Sequence, residues 1–339
     1  MCFARHQQES PGAFTMKKFF KIAGWILSSL VLLIIIGLVY FNSVFPKAEP
    51  VPDIRVERTA ERIARGEYLV RHVAGCFDCH SERDWTKFAA PVIHGTEGEG
   101  GEVFDEETAG VPGAVYARNI TPAAVGNWSD GELIRAITTG VSKDGTALFP
   151  IMPYDDFNYL RKEDLYSIVA YLRTIKPVEH NIPKRHLDFP MNLIVKTIPL
   201  DSYNPGAPIA PTDTIAYGEY LTTIASCSGC HTQLDKGVPV KGMEFAGGMS
   251  FDLPAGTVRS ANITPDRDTG IGSWTKAQFI AYFKGFAADT AAVAPNQFNT
   301  VMPLISFSGM TETDLGAIYT YLRSLPPVHN NVVRFTPKQ

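Results

Sequence analysis

Cys76-Phe77-Asp78-Cys79-His80 form a C-x-x-C-H sequence, and Cys227-Ser228-Gly229-Cys230-His231 repeat it further along the chain. These two stretches contain four of the five cysteines among 339 residues. Four cysteines alone are compatible with disulfides or with a zinc site, and the residue after each pair distinguishes these patterns. In both stretches the residue after the cysteine pair is a histidine. These two stretches therefore decide how the rest of the chain is interpreted.

The segments around the two stretches are also repeated, in the same order. Each copy has about 120 residues, which is an ordinary domain size. We therefore predict tandem domains at 58–178 and 213–332, a proline-rich linker at 179–212 and a tail at 333–339. The repeated pairs are Gly66-Glu67-Tyr68-Leu69 with Gly218-Glu219-Tyr220-Leu221, Asn119-Ile120-Thr121-Pro122 with Asn262-Ile263-Thr264-Pro265, Trp128 with Trp274, Met152-Pro153 with Met302-Pro303, Tyr171-Leu172-Arg173 with Tyr321-Leu322-Arg323, and Pro177-Val178 with Pro327-Val328.

Helical spacing of apolar residues dominates both copies. The segments between these runs are rich in Gly, Pro, Asn and Asp, which predicts loops. The expected fold class is all-α, with a few short helices in each copy and little strand. The predicted helices cover 58–73, 130–140, 162–175, 213–226, 275–285 and 312–325.

The N-terminal part contains a candidate membrane segment. Residues 22–41 carry no charged side chain and are long enough to span a bilayer as a helix. Three lysines precede this segment, so the positive-inside rule places residues 1–21 in the cytoplasm and the rest of the chain outside. We predict an uncleaved anchor at 22–41 and a tether at 42–57, with a cleaved signal peptide as the alternative. Met16 is a more natural start, so 1–15 are not expected to be translated.

The C-x-x-C-H sequence is the attachment signature of c-type haem. Its two thiols form thioethers with the vinyl groups of one porphyrin, and the adjacent histidine is the proximal iron ligand. A thioredoxin-type redox pair would need a βαβ setting, which this sequence lacks. We therefore predict two covalently attached haems. The attachment cysteines are Cys76, Cys79, Cys227 and Cys230, and the proximal ligands are His80 and His231.

A second axial ligand is expected from methionine, the usual partner of histidine in electron-transfer cytochromes c. Met152 and Met302 each precede a proline and occupy matching positions before the closing helix of their copy. This repetition favours iron ligation over the usual role of methionine in filling a core. Met243 and Met249 are minor alternatives for the second iron, and His94 for the first.

Repeated N–H donors are candidates for binding the haem propionates. A carboxylate in a mostly apolar cleft needs hydrogen-bond donors, and amide and indole groups supply them. A turn asparagine and a core tryptophan are the structural alternatives. The candidates are Asn119, Asn262, Trp128 and Trp274. Arg118 and Arg259 could also pair with propionates, but they do not align with each other between the two copies.

These residues resemble tandem class I cytochrome c domains. More closely, they resemble the cytochrome c subunits of bacterial membrane-bound alcohol and gluconate dehydrogenases. The resemblance covers roughly 58–328 and rests on G-E-Y-L before C-x-x-C-H, on Asn-Ile-Thr-Pro before Trp274, and on Phe149-Pro150-Ile151-Met152-Pro153-Tyr154. It implies His/Met haems, periplasmic placement and electron transfer. Those subunits carry three haem motifs and this chain carries two, so the resemblance does not specify a dehydrogenase partner.

Together the patterns predict a dihaem c-type cytochrome of the bacterial inner membrane, with its haem domains in the periplasm. Its donor would be a quinol-oxidising or dehydrogenase complex, and its acceptor a terminal oxidase or soluble cytochrome. It is predicted to be an electron-transfer protein or a subunit of an oxidoreductase, and not an enzyme alone. The alternative is a two-haem enzyme such as a peroxidase or thiosulfate-oxidising cytochrome, which needs a displaceable iron ligand. The net charge of -4, without a basic patch, disfavours nucleic-acid binding.

Overall fold

The computed structural model describes residues 12–210, 212–235, 237–287 and 291–338. The chain divides into two compact units, Met1–Lys47 and Ala48–Gln339. Residues 1–11 of the predicted cytoplasmic segment lie outside the described residues. No boundary separates the two repeats, which share the second unit, so the predicted domain limits stay a prediction.

The described part of the first unit contains one long helix, α1 (Gly12–Val44). Within it, Met16–Val44 has a mean hydropathy of 2.7 and is long and apolar enough to cross a membrane. Its large apolar side chains are exposed, including Trp25 and Leu33. The helix extends beyond the predicted 22–41 at both ends, because no proline or glycine cap stops it before Val44.

The second unit is mainly helical. In the first repeat and the linker, the elements are α2 (Ala60–Tyr68), a π-helical turn (Leu69–Val73), α3 (Cys76–Cys79), β1 (Val103–Asp105), α4 (Glu106–Ala109), β2 (Gly113–Tyr116), α5 (Pro122–Val125), α6 (Asp130–Thr139), α7 (Tyr154–Phe157), α8 (Lys162–Leu172), β3 (His186–Leu187), α9 (Met191–Ile194) and a 3₁₀ turn (Val195–Thr197). In the second repeat they are α10 (Thr214–Ile224), α11 (Cys227–His231), β4 (Leu234–Asp235), β5 (Val238–Pro239), β6 (Ser250–Leu253), β7 (Gly256–Arg259), α12 (Lys276–Lys284), α13 (Leu304–Ser308), α14 (Glu312–Ser324) and β8 (Phe335–Pro337).

In each repeat the first helix packs closely against the last. A Cβ on Gly66 of α2 would lie 1.9 Å from the Ser167 carbonyl oxygen of α8. A Cβ on Gly218 of α10 would lie 2.1 Å from the Ala317 carbonyl oxygen of α14. Only glycine permits such an approach of two helix backbones, so the repeated G-E-Y-L sequence is the point where the helices touch.

The two repeats bind each other through a reciprocal contact. The Tyr68 hydroxyl of the first repeat donates to Asp314 Oδ2 at 2.5 Å. The Tyr220 hydroxyl of the second repeat donates to Asp164 Oδ2 at 2.6 Å. Both aspartates lie in the first turn of a closing helix and are buried. One hydrophobic core continues through both repeats beneath these bonds.

The segments predicted as a tether and as a linker are both tied to the second unit. The backbone N–H of Glu49 donates to Asp201 O at 2.8 Å, and the N–H of Val56 donates to Asp130 Oδ2 at 2.8 Å. A small core beneath the linker contains Val111, Leu187 and Val195. The prolines prevent long helices in these segments. Hydrogen bonds and the small core nevertheless hold both segments against the second unit.

Within the described residues, three small antiparallel sheets depart from the all-α prediction. Their strand orders are β1-β2-β3, β4-β5 and β6-β7-β8. In the two larger sheets a hairpin inside the repeat is completed by a strand from the segment that follows its closing helix. The strands have two to four residues, too few for alternation to be visible in the sequence.

Candidate functional site

In the first repeat, a short helical turn presents Cys76, Cys79 and His80. Gly75, with a left-handed φ of 58°, begins the turn. His80 Nδ1 lies 2.6 Å from the carbonyl oxygen of Arg118. Because a carbonyl can only accept a hydrogen bond, Nδ1 carries the proton and Nε2 keeps its lone pair for a metal.

The second repeat has the same arrangement. Ser226, with φ of 52°, occupies the position of Gly75 at the start of α11. His231 Nδ1 lies 2.7 Å from the carbonyl oxygen of Ala261. Arg118 and Ala261 each directly precede the repeated asparagine, so the Asn-Ile-Thr-Pro loop orients the histidine in both copies.

The four cysteines of the two motifs form no disulfide. Burial raises the pKa of Cys76 and Cys227, both partly buried, to about 12. The first motif touches the second repeat, since Ser306 Oγ donates to Asp78 Oδ1 at 2.8 Å.

Both candidate methionines lie in the same kind of turn. The backbone N–H of Tyr154 donates to the Met152 carbonyl oxygen at 2.8 Å, and the N–H of Leu304 donates to the Met302 carbonyl oxygen at the same distance. Pro153 has a φ of -79° and a ψ of 58°, and Pro303 has a φ of -78° and a ψ of 60°. These are inverse γ-turns, and both methionines pack against the core. His94, the alternative for the first iron, is fully exposed and pairs with Glu97 at 3.2 Å.

The repeated asparagines are buried and bonded to the protein. Asn119 Nδ2 donates to Val178 O at 2.7 Å, and Asn262 Nδ2 donates to Val328 O at the same distance. Asn262 Nδ2 also donates to Thr269 Oγ1 at 2.9 Å, which occupies its second hydrogen. The two amides thus join the Asn-Ile-Thr-Pro loop to the Pro-Val segment, which accounts for the repetition of both segments. A propionate-binding role for these asparagines stays a prediction.

The repeated tryptophans are partly buried against the core. Trp274 contacts the ring of Tyr282 at 5.3 Å, edge to face, and its carbonyl oxygen accepts the Tyr319 hydroxyl at 2.6 Å. The Trp128 carbonyl oxygen accepts from Arg173 Nη2 at 2.5 Å. In the part of the chain that the structure describes, neither indole N–H donates a hydrogen bond, so both donors are free for the predicted role.

One residue of the site has no signal in the repeat. Asn299, three residues before Met302, accepts from the N–H of Ala89 at 2.9 Å through its Oδ1. Its Nδ2 donates to Lys87 O at 3.1 Å and to Trp85 O at 3.3 Å. A loop of the first repeat is thereby fixed beside the methionine turn of the second. The first repeat has no equivalent asparagine, and the contact joins residues far apart in sequence.

The donor set fits two c-type haems. Each repeat supplies two cysteines on one turn, an imidazole whose Nε2 keeps its lone pair, and a methionine thioether on a separate turn. Thioether bonds and His/Met iron coordination require these groups and no others from the protein. Within the described ranges, no group of three or more His, Cys, Asp or Glu side chains is placed to hold a metal ion.

Comparison with known proteins places the chain beside c-type cytochromes. No family model matches it. It is 26% identical over 289 residues to a diheme cytochrome c-type protein of Cereibacter sphaeroides, covering 82% of this chain and 90% of that protein. The class of protein that the repeated motifs indicate is therefore also the class of its relatives.

More particularly, the chain is similar to cytochrome subunits of dehydrogenases, which confirms the resemblance seen in the sequence. It is 29% identical over 282 residues to the cytochrome c subunit of the quinone alcohol dehydrogenase of Gluconacetobacter polyoxogenes, covering 78% of this chain. It is 29% identical over 291 residues to the fructose dehydrogenase cytochrome subunit of Gluconobacter japonicus, covering 83% of this chain. The chain spans 56% of the length of each of these two relatives.

Proposed function

We propose that this protein is a membrane-anchored dihaem cytochrome c that relays single electrons between respiratory complexes on the periplasmic side. The observation that carries the proposal is the duplicated site. Each copy holds a histidine with its Nδ1–H on a carbonyl and a methionine in an inverse γ-turn. When bound, haem supplies an iron that exchanges one electron at a time between two oxidation states.

The chain's own side chains would serve this role by leaving no position on either iron open to a substrate. His80 with Met152 would hold the iron of the first repeat, and His231 with Met302 that of the second. The carbonyls of Arg118 and Ala261 hold the imidazoles in the required tautomer, and Pro153 and Pro303 fix the methionine turns. No position then remains for a substrate to bind iron, which favours electron transfer over an enzyme such as a peroxidase.

The contact between the repeats supports rapid exchange between the two sites. The reciprocal Tyr68–Asp314 and Tyr220–Asp164 bonds hold the repeats together. Ser306 Oγ of the second repeat also donates to Asp78 Oδ1, inside the C-x-x-C-H motif of the first repeat, at 2.8 Å. Because a shared core fixes this arrangement, electrons need no domain movement to pass from one site to the other.

The helix α1 supports attachment to the inner membrane. Lys17, Lys18 and Lys21 lie towards its N-terminal end, which favours a cytoplasmic N-terminus and a periplasmic location for the repeats. An anchor raises the effective concentration of the repeats beside other membrane complexes. The named relatives are dehydrogenase subunits, so a dehydrogenase is the favoured donor, and a terminal oxidase or a soluble cytochrome is the acceptor.

The first experiment counts the haems of the full chain. The wild type should hold two covalent haems. The double variant Cys76→Ala/Cys79→Ala and the matched variant Cys227→Ala/Cys230→Ala should each hold one, measured as haem per protein after denaturation. A wild type with one haem, or with none, would contradict the dihaem proposal.

The second experiment separates the carrier from the enzyme. The full chain, in lipid nanodiscs, is mixed in stopped flow with a reduced membrane dehydrogenase and then with an oxidase or a soluble cytochrome. Reduction and reoxidation without added substrate are expected, with no binding of cyanide. Rapid turnover of peroxide or thiosulfate by the isolated protein would support the enzyme instead.

A further inference from the structure

The turn that carries Met302 is held by side chains, whereas the equivalent turn of Met152 uses a backbone carbonyl. The N–H of Met302 donates to Thr300 Oγ1 at 3.1 Å, and the N–H of Thr300 donates to Asn299 Oδ1 at 2.8 Å. In the first repeat, Phe149 takes the position of Asn299, and its carbonyl oxygen accepts from the N–H of Met152 at 3.2 Å. The second turn therefore depends on two buried polar side chains that the first turn lacks.

Asn299 uses its remaining hydrogen-bonding capacity on the first repeat. Besides the N–H of Thr300, its Oδ1 accepts from the N–H of Ala89. Its Nδ2 donates to the carbonyl oxygens of Lys87 and Trp85. The buried amide thus accepts two hydrogen bonds and donates two, which is its full capacity. Asn299 cannot change its position without breaking bonds to both repeats.

The loop that Asn299 contacts is itself held in an uncommon conformation. Ala89 and Ala90 have φ values of 56° and 42°, in the left-handed region that residues other than glycine seldom adopt, and both are buried. Arg83 Nε donates to the Ala90 carbonyl oxygen at 2.9 Å, and its Nη2 donates to that of Ala89 at 3.0 Å. Such strain persists only where the surrounding groups enforce it. Arg83 lies three residues after His80, so the loop is fixed from the haem-attachment segment of the first repeat.

The first repeat also holds the chain on the other side of Met302. Ser306, in α13, donates through Oγ to Asp78 Oδ1, and its carbonyl oxygen accepts from His72 Nδ1 at 3.0 Å. The Met302 turn is therefore attached to the first repeat both before and after the methionine. By contrast, residues 147–151, which lead to the other methionine turn, form no hydrogen bond with 213–332 within the described ranges.

We propose that Asn299 is a positioning residue for Met302, and that the first repeat thereby sets how firmly the second iron holds its methionine. A ligand on a turn keeps its place only through the groups that surround the turn. For Met302 those groups come from both repeats, and for Met152 the turn is supported within its own repeat. This inference rests on the proposed function, which supplies the haem. It makes the two sites unequal although their ligand sets are the same.

The test measures the Met–iron charge-transfer bands, cyanide binding and the covalent haem content of the full chain. Asn299→Leu removes all four hydrogen bonds and keeps the size of the side chain. It should retain both haems, weaken one Met–iron band and let one haem bind cyanide. The ratio of methionine-bound to methionine-free iron at that haem should fall about 10–100-fold. In the Met302→Ala protein, Asn299→Leu should cause no further change, which assigns the effect to the second site.

Three further variants separate positioning from a general loss of stability. Arg83→Met releases the loop from the side of the first repeat and should weaken the same band. Thr300→Val removes the hydroxyl that accepts from the Met302 N–H and should also weaken it, whereas Thr300→Ser keeps the hydroxyl and the band. Tyr203→Phe is the control, because it removes a partly buried hydrogen bond to the Leu160 carbonyl oxygen, outside both methionine turns. It should lower the melting temperature and leave both bands unchanged.

Several results would overturn the inference and leave the proposed function intact. These are an Asn299→Leu protein with both bands and no cyanide binding, the same band loss in Tyr203→Phe, or no effect of Arg83→Met on the band. Where Asn299→Leu does not retain both haems, the pair at Thr300 decides. Loss of the band with Val and its retention with Ser supports the inference, and equal bands in the two variants oppose it. A wild type without covalent haem, or one that itself binds cyanide, would contradict the proposed function.

Discussion

The Tyr68 hydroxyl donates a 2.5 Å hydrogen bond to Asp314 Oδ2, joining the first helix of one repeat to the last helix of the other. The equivalent residues of the opposite repeats, Tyr220 and Asp164, make the same bond. The environments of the two acceptors differ. Asp164 also pairs with Arg65 at 2.8 Å and Arg161 at 3.2 Å. Within the described residues, Asp314 forms no ion pair. Its second hydrogen-bond donor is the Tyr217 hydroxyl, at 3.2 Å.

The first prediction follows from this difference. Tyr68→Phe leaves a buried carboxylate with one donor, so it should lower the free energy of unfolding by about 2 kcal/mol. Tyr220→Phe should cost less, because two arginines remain on Asp164. Chemical denaturation measures both, with Tyr159→Phe as the control, since its side chain is exposed. An equal loss in the two variants would show that the arginines do not compensate.

The second prediction concerns the glycines where helices touch. Gly66→Ala and Gly218→Ala force a methyl group into a backbone carbonyl, so the helices must separate. We expect a loss of at least about 3 kcal/mol in each case, measured by thermal unfolding of the haem-loaded protein. Gly285→Ala is the control, because its Cβ would meet its nearest atoms at 3.4 Å. Near-wild-type melting of Gly66→Ala would refute the close approach of α2 and α8.

The third prediction assigns the axial ligands. Met152→Ala and Met302→Ala should each remove one Met–iron charge-transfer band and lower the potential of one haem, because thioether sulfur stabilises the reduced iron. Met243→Ala and Met249→Ala, the alternatives for the second site, should keep both bands. Near-infrared absorption and redox titration measure these effects. A Met302→Ala protein with both bands intact would move the assignment to another residue.

The fourth prediction concerns pH. Burial raises the pKa of Asp156 from 3.8 to about 6, and Asp155 adds to this. Between these values the folded protein binds more protons than the unfolded chain, so stability falls as pH rises and the penalty is complete above about pH 6. Asp156→Asn should therefore gain about 1–3 kcal/mol at pH 7 and little at pH 4.

Melting temperature as a function of pH tests this, with Asp53→Asn as the control at an exposed aspartate. The Asp156→Asn substitution should flatten the pH profile between about pH 4 and about pH 6, and the control should not. Identical profiles for the wild type and Asp156→Asn would show that this carboxyl does not limit stability.

The sequence alone was enough to predict the chemistry of this protein. The C-x-x-C-H motifs predict the attachment residues, because thioether formation and iron ligation depend on residue type and short spacing. Repetition at matching positions predicts Met152 and Met302 as ligands, and helical periodicity predicted α2, α8, α10 and α14 within a few residues. These signals are local, or they are duplicated in the chain itself.

Only the tertiary structure decided how the two copies meet. The Tyr68–Asp314 bond and the hydrogen bonds by which Asn299 holds the first repeat join residues that are distant in sequence. The short strands β3 and β8 are stabilised by pairing and not by their own residues, so no periodicity predicts them. The physical reason is that a pattern records which face of an element is buried, but not which other element buries it.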